Sequence, residues 1–385
     1  MEGNWSSMLR REQTSRNYFL KTIIREYYKK KPLEEPPSLH KREIALESLE
    51  DAAYIRHLAF PYMDQLYNYI LNVKTPLHLY YSSALYSNPS AQVMEEKIWE
   101  GSELIFDIDA DKFPECVFKL CVCSSGELLV GDVKTCSDGS APIEYTNISW
   151  NCIVKAWSST VKLVDILRSE LGFNNIKVYF SGNRGFHVKV SDDKVLTLNR
   201  DERRSITSYV ACDDLKYERI LPSLKKTIIF STNEHGLRKR ILERALKKGS
   251  ARFRERAYGL RNIYLVYTED LEAILREECI EIDRAVTMDI SRLSRFNYSL
   301  NMKAGLRVTG ISVNDNIESK TYEDFSPFTG TVKIKPIITG TLEALDRKIN
   351  LVRGEITRVD AYMGVYLVIK KIAIPVDTSD LGIKI

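Results

Sequence analysis

The stretch "ELIFDIDADKF" (residues 103–113) decides how the chain is read, because it places three aspartates in what is otherwise a buried β-strand. In an extended chain, side chains alternate between the two faces, so Leu104, Phe106 and Ile108 point into a core while Asp107 and Asp109 project together on the other side. Two carboxylates set side by side repel, and one is driven toward its protonated form unless a cation lies between them. A pair of Mg²⁺ or Mn²⁺ ions meets that need, since hard divalent cations prefer oxygen ligands and bridge carboxylates to phosphates. The alternative is an Asp-rich loop that follows a strand and is merely solvated.

One helix further on stands "SGNRGFH" (residues 181–187), between the strand-like runs "IKVYF" and "VKV". Gly182 and Gly185 let the backbone turn tightly and present N–H groups to an anion, and Arg184 adds a charged fork matched to phosphate. Ser181, Asn183 and His187 complete the candidate phosphate site. An ordinary Gly-rich hairpin is the alternative. A third segment, "IEIDRAVTMDISRLSRFNYSLNMKAGL" (residues 280–306), supplies Asp283 and Asp289, then Arg292, Arg295 and Lys303. A third carboxylate would complete a two-metal site and the cations would neutralise a triphosphate. Asp283 is taken over Asp289, although spacing does not decide between them, and an amphipathic helix with a cationic face fits the same residues.

The chain has 385 residues, 44% of them hydrophobic, enough for a sizeable core in one large domain with an appended module or in two domains. No apolar run approaches the roughly 20 residues that span a bilayer, and the first residues lack the apolar centre of a secretory signal, so a soluble, intracellular (cytoplasmic) protein with no membrane partner is expected. The net charge of +4, from 56 basic and 52 acidic residues, is too small by itself to imply a polyanionic partner. Five of the seven cysteines fall between Cys116 and Cys152, a clustering that in an intracellular chain favours a metal over disulfides.

Periodicity gives a charged helix over residues 8–31, a helix near 61–73, a strand at "LHLYYSSALY" and a long helix in "SWNCIVKAWSSTVKLVDILRSELGF", with a serine to cap it and Gly172 to end it. Residues 199–280 read as mostly charged helix. They include the basic block "EHGLRKRILERALKKGSARFRERAYGLR", which is either a solvated face or a nucleic-acid contact. The tail adds a strand at "GTVKIKPII" and a final helix, "DAYMGVYLVIKKIA".

Together, "FDID", "SGNRGFH" and "IDRAVTMDISRLSRFNYSLNMKAGL", in that order, resemble the catalytic small subunit of archaeal and eukaryotic DNA primases. "IREYY", "HKREIAL", "IRHLAF" and the run from "YYSSALY" to "FDIDAD" resemble the archaeal branch, as does the closing helix. The resemblance covers most of the chain and is weakest over 211–265 and 312–355. It implies an α+β fold: a catalytic core with a mixed sheet (residues 1–210 and 263–385), a small cysteine-containing protrusion at about 114–149, and a helical subdomain at 211–262. It also implies that Asp107, Asp109 and Asp283 hold Mg²⁺ or Mn²⁺, that Ser181, Arg184 and His187 contact the triphosphate, and that Arg295 meets the phosphates too.

Two departures from the family pattern stand out. Asn301 occupies a position where the family commonly has histidine, and asparagine can donate a hydrogen bond there but cannot carry charge. The paired C-x-x-C knuckles are absent, leaving Cys116, Cys121, Cys123 and Cys136 as a possible structural Zn²⁺ set against buried thiols. Cys152, Cys212 and Cys279 are expected in the core. The function expected is template-directed primer synthesis on single-stranded DNA from nucleoside triphosphates, an enzymatic nucleotidyl transfer carried out in a heterodimer with a large primase subunit. The alternatives are a catalytically weak structural subunit, which Asn301 permits, and a nucleic-acid-binding module working through residues 235–262.

Overall fold

The computed structural model describes residues 2–385 apart from 117–118, 124, 132, 138, 214–220, 222 and 225. Its centre is a four-stranded sheet in the order Thr309–Ile311, Ile176–Phe180, Gly185–Val190, Leu104–Asp109. The alternation read from the sequence governs this sheet. Leu104, Phe106, Ile108, Phe180, Phe186 and Val188 are buried on one face, where the helix Trp150–Asp165 covers them. Trp157 of that helix packs its ring 5.1 Å from Phe186. Ser149 takes the N-cap backbone position without a capping side-chain bond, and a π-helical turn, Ile166–Glu170, carries the helix toward Gly172. The opposite face carries Asp107, Asp109, His187 and Lys189.

A second sheet, ordered Leu293–Arg295, Pro76–Ser82, Ile44–Ser48, Ala53–Leu58, stands beside the first. Lys189 joins the two: its ammonium donates to Tyr81 Oη at 2.7 Å, to Asn297 Oδ1 at 2.6 Å and to the Arg295 carbonyl at 3.2 Å. The start of the acidic strand is tied down by buried Arg203, which donates to the carbonyls of Ser102 and Glu103. The α+β class holds, but every described strand pairing is antiparallel where a mixed sheet was expected. No helix among the described residues is long and apolar enough to cross a membrane.

The region expected to be a helical subdomain is built differently. A four-stranded sheet, ordered Ser223–Leu224, Thr227–Ser231, Leu260–Tyr267, Ala251–Ala257, packs on the helices Gly236–Lys247 and Thr268–Glu278. The sheet and helices enclose a separate small core containing Phe230, Ile241 and Val266. Dense charge in "ARFRERAYGLR" conceals the strands, because charged residues on both faces erase the period-2 hydrophobic signal.

The cysteines also depart from expectation. Cys116 pairs with Cys152, Cys123 with Cys136 and Cys212 with Cys279, leaving only buried Cys121 free among the seven. The four-thiolate zinc set is therefore not present; Cys152 and Cys212 lie in the core as expected, with Cys279 packed against it, and all three are disulfide partners. The physical reason is tertiary. The long helix packs against the 3-10 turn after the acidic strand, bringing Cys152 in its first turn to Cys116, with Cα atoms 5.8 Å apart. The cysteine segment forms a three-stranded sheet ordered Leu128–Val130, Lys119–Val122, Ile143–Thr146.

Candidate active site

The returning strand of the glycine hairpin lies directly against the acidic strand, with His187 opposite Asp107 and Gly185 opposite Asp109. This register accounts for the second glycine. A Cβ at position 185 would lie 2.2 Å from the Ile108 carbonyl oxygen and 2.5 Å from Asp109 Oδ1. At the first glycine, φ is +72° and a Cβ would come within 2.9 Å of Asn301 Cβ. Ser181 Oγ closes the turn by accepting from the Gly185 N–H at 3.2 Å. Arg184 then reaches back over the side-chain gap at Gly185 to Asp109 at 3.3 Å and Asp111 at 2.9 Å.

Asp283 joins the pair from a remote segment. Its N–H donates to the Asp107 carbonyl at 3.1 Å, and its Oδ1 caps the short helix Arg284–Met288 by accepting from the Ala285 N–H. Asp289 is turned away: its Oδ1 accepts from the N–H and hydroxyl of Ser291 and it borders a neighbouring depression. Structure thus separates two aspartates that spacing left equivalent.

A cavity of about 260 Å³ opens in front of Asp107 and Asp109, which line it with Ser181, Asn183, Arg184, His187, Arg292, Arg295, Asn301 and Lys303; Asp283 is not part of this lining. All the candidate nucleotide-binding side chains therefore meet in one place, while Gly182 lies against Asn301 and Gly185 against Asp109, two of the residues that line it. Asn301 is buried and committed at both ends: its amide donates to the Ser181 carbonyl at 2.9 Å and its Oδ1 accepts from the Lys303 N–H at 3.2 Å. It clamps the glycine turn to the segment bearing Lys303.

The electrostatics follow from burial. Desolvation, with Asp283 nearby, pushes the Asp107 carboxyl up to about 6, and desolvation with Asp107 alongside raises Asp109 as well. Burial, with Lys189 and Arg295 close by, holds His187 well below the usual imidazole range, so it stands neutral, Nε2 3.5 Å from Asp107 Oδ1. Burial and the neighbouring Arg295 and Arg184 also lower Lys303. Arg184 is ion-paired with Asp109 and Asp111, whereas Arg292, Arg295 and Lys303 form no ion pair with a described residue.

Three further residues escape sequence reasoning. His78 is buried, and its Nδ1 lies 3.0 Å from Arg295 Nη1. A guanidinium only donates, so Nδ1 accepts and the imidazole carries its proton on Nε2, 3.8 Å from Glu47 Oε2. Burial and Arg295 hold His78 neutral. Tyr80 lies under Arg295, 5.2 Å from ring centroid to guanidinium, and Lys189 holds the Arg295 backbone. Alternation in "LHLYY" places His78 and Tyr80 on one face, but nothing local says that Arg295 lies there.

Whether the residues suit divalent ions can be judged from the donors. Asp107 Oδ1 is buried without a hydrogen-bond partner, beside two more carboxylates, an all-oxygen set with unmet demand for positive charge. Among the described residues no three acidic, His or Cys side chains are placed closely enough to hold a metal ion together, so any fit rests on the chemistry of the donors and not on a preformed site. The donor chemistry fits Mg²⁺ or Mn²⁺.

The fold and site define a class: an α+β protein whose paired strand carboxylates face a cationic, glycine-hinged pocket. A sequence profile of the DNA primase small subunit matches residues 138–313. The chain is 45% identical to the DNA primase small subunit PriS of Staphylothermus marinus over 380 residues, 97% of this chain and 99% of that one. It is 35% identical to the PriS protein of Sulfurisphaera tokodaii, over 92% of this chain and 95% of the relative. With the PriS protein of Sulfolobus acidocaldarius it shares 36% identity, over 90% and 92%. The chain belongs to the DNA primase small subunit family.

Proposed function

We propose that this subunit catalyses template-directed primer synthesis, in which the 3′-hydroxyl of one nucleotide attacks the α-phosphate of the next and pyrophosphate leaves. Asp107, Asp109 and Asp283 would hold the Mg²⁺ or Mn²⁺ ions. When bound, such ions lower the pKa of the attacking hydroxyl and neutralise charge on the leaving phosphates. Arg184, Arg292, Arg295 and Lys303 bind the triphosphate and Ser181 fixes the turn that presents backbone N–H groups to it. This positioning supplies much of the rate enhancement in such transfers. Neutral His187 donates or accepts a hydrogen bond beside Asp107 without competing as a cation.

The observation that carries this reading is convergence: Asp107 and Asp109 line a cavity with the cationic glycine turn, and Asp283, from a remote segment, is hydrogen-bonded through its backbone to Asp107 and lies close enough for its charge to act on that carboxyl. A single-stranded DNA template, nucleoside triphosphates and a large primase subunit complete the proposed assembly. The test is incorporation of labelled nucleotide on single-stranded template with Mg²⁺ or Mn²⁺, with and without the large subunit. Incorporation that survives unchanged in Asp107→Asn would overturn the proposal.

A further inference from the structure

The basic block of residues 234–261 divides into two parts with different electrostatic fates. On the helix Gly236–Lys247 the cations are mostly spent within the molecule. Arg238 meets Glu234 at 2.7 Å, Arg240 meets Glu170 at 2.9 Å and Arg244 meets Glu278 at 2.8 Å. The hairpin that follows is the reverse. Arg252, Arg254, Arg256 and Arg261 are all exposed, and none forms an ion pair with any described residue.

The hairpin's register puts these four on one face. Arg252 stands opposite Leu265, Arg254 opposite Ile263 and Arg256 opposite Arg261, while the alternate residues Phe253 and Tyr264 share the other face, their ring centroids 5.4 Å apart. Two arginines directly across a ladder repel, so the Arg256–Arg261 pair weakens the hairpin as it stands. Ala251–Ala257 is also the edge strand of its sheet. Discouraging edge pairing needs only an isolated charge or two. Three guanidinium groups along one strand and a fourth directly opposite the last, none ion-paired with a described residue and Arg252 alone stacked on a ring (Tyr267, 5.4 Å to the centroid), call for an anionic partner that is itself extended.

Spacing selects among anions. Residues i and i+2 of a strand lie about 7 Å apart, so Arg252, Arg254 and Arg256 form a line of evenly spaced forks, matched to successive phosphates of a stretched polynucleotide better than to one compact anion. The turn Tyr258–Gly259 leaves Tyr258 and Leu260 exposed at the end of that line, with Tyr258 at φ +51° and Gly259 at φ +77°. An exposed tyrosine beside arginines offers a surface on which an unpaired base stacks.

The placement ties this hairpin to the catalytic site. The small sheet domain leaves the core after the helix Arg200–Ala211 and returns through Cys279, and its two ends are joined by the Cys212–Cys279 disulfide. Four residues after Cys279 comes Asp283, and Arg284 pairs with Asp213 at the domain's base.

We propose that the arginine face of the hairpin formed by Ala251–Ala257 and Leu260–Tyr267 is a binding site for the phosphate backbone of single-stranded nucleic acid, holding template outside the catalytic cavity. This extends the template-dependent reading of the site, but the binding itself needs neither the carboxylates nor a divalent ion.

The test uses the full chain and a fluorescently labelled single-stranded oligo-dT in EDTA, with anisotropy followed over a salt series. Arg254→Ala/Arg256→Ala/Arg261→Ala lowers the slope of log K against log salt by about 2 for single strands. The wild type then loses about 20-fold more affinity than the variant between 50 and 200 mM salt. The corresponding triple lysine variant keeps most of the slope, and a melting temperature equal to or above that of the wild type shows that the alanine variant is folded. Asp107→Asn should bind oligo-dT as wild type does, which separates this proposal from the catalytic one. An unchanged slope in the folded alanine variant overturns the proposal, as does an equal loss of affinity for blunt duplex DNA of the same length.

Discussion

The backbone N–H of Asp283 donates to the carbonyl of Asp107 across 3.1 Å, so a residue following the small sheet domain is fastened to the middle of the acidic strand. This bond sets the third carboxylate near Asp107, although Asp283 and Asp107 lie far apart in the sequence. The carboxylates repel one another in a desolvated setting, and that shared repulsion makes the site sensitive to cations and to pH.

Removing one charge should therefore harm the reaction while relieving the fold. Asp107→Asn is expected to lower nucleotide incorporation by roughly 10²–10³-fold or more, with a metal-free melting temperature equal to or above that of the wild type. Mg²⁺ or Mn²⁺ should raise the melting temperature of the wild type and do so much less for the variant. An equal thermal shift in both would remove Asp107 from the metal site.

The same carboxyl gives a signed pH dependence. Its pKa is raised from 3.8 to about 6 on folding, so between those values the native state binds more protons than the unfolded chain. Its contribution therefore falls as pH rises through that window, by on the order of 3 kcal/mol in total. In EDTA, the stability difference between Asp107→Asn and wild type, from denaturant unfolding, should grow from pH 4 to pH 6 and then level off. A difference that shrinks over that range would contradict the burial argument.

His78 is expected to act through Arg295. Replacing it with alanine leaves a partly buried guanidinium donor without its acceptor, and the KM for nucleoside triphosphate should rise about 10-fold, the scale seen for orienting partners. His78→Asn, which keeps an acceptor, should recover part of the loss. If steady-state kinetics show both variants equal to wild type, Arg295 is positioned by Tyr80 and Lys189 alone.

The disulfides close loops of different length, with sequence separations of 67, 36 and 13. On a chain-entropy basis, loss of Cys212–Cys279 should cost about 4 kcal/mol and loss of Cys123–Cys136 about 3 kcal/mol. Unfolding of the paired serine variants in the absence of reductant measures both. A reversed order would show that native packing, not loop closure, sets their contribution.

Some of this was determined by the sequence alone. Alternation in "LIFDID" and "GFHVKV" dictates which side chains enter the core and which carry charge, because a strand has only two faces. Gly182 and Gly185 mark a turn where backbone and neighbouring side chains come too close for a Cβ. The order of the acidic, glycine-turn and basic segments was enough for the family. What the tertiary structure decided are meetings between residues far apart in the chain. Asp283 was set against Asp107 and Asp289 turned to Ser291, His78 was brought to Arg295, cysteines were paired instead of gathered around a metal, and the hairpin arginines were left without ion pairs to described residues while those of the preceding helix were neutralised. Local periodicity reports the face a residue occupies; only packing determines what lies opposite that face, and there the charges of this site find or lack their partners.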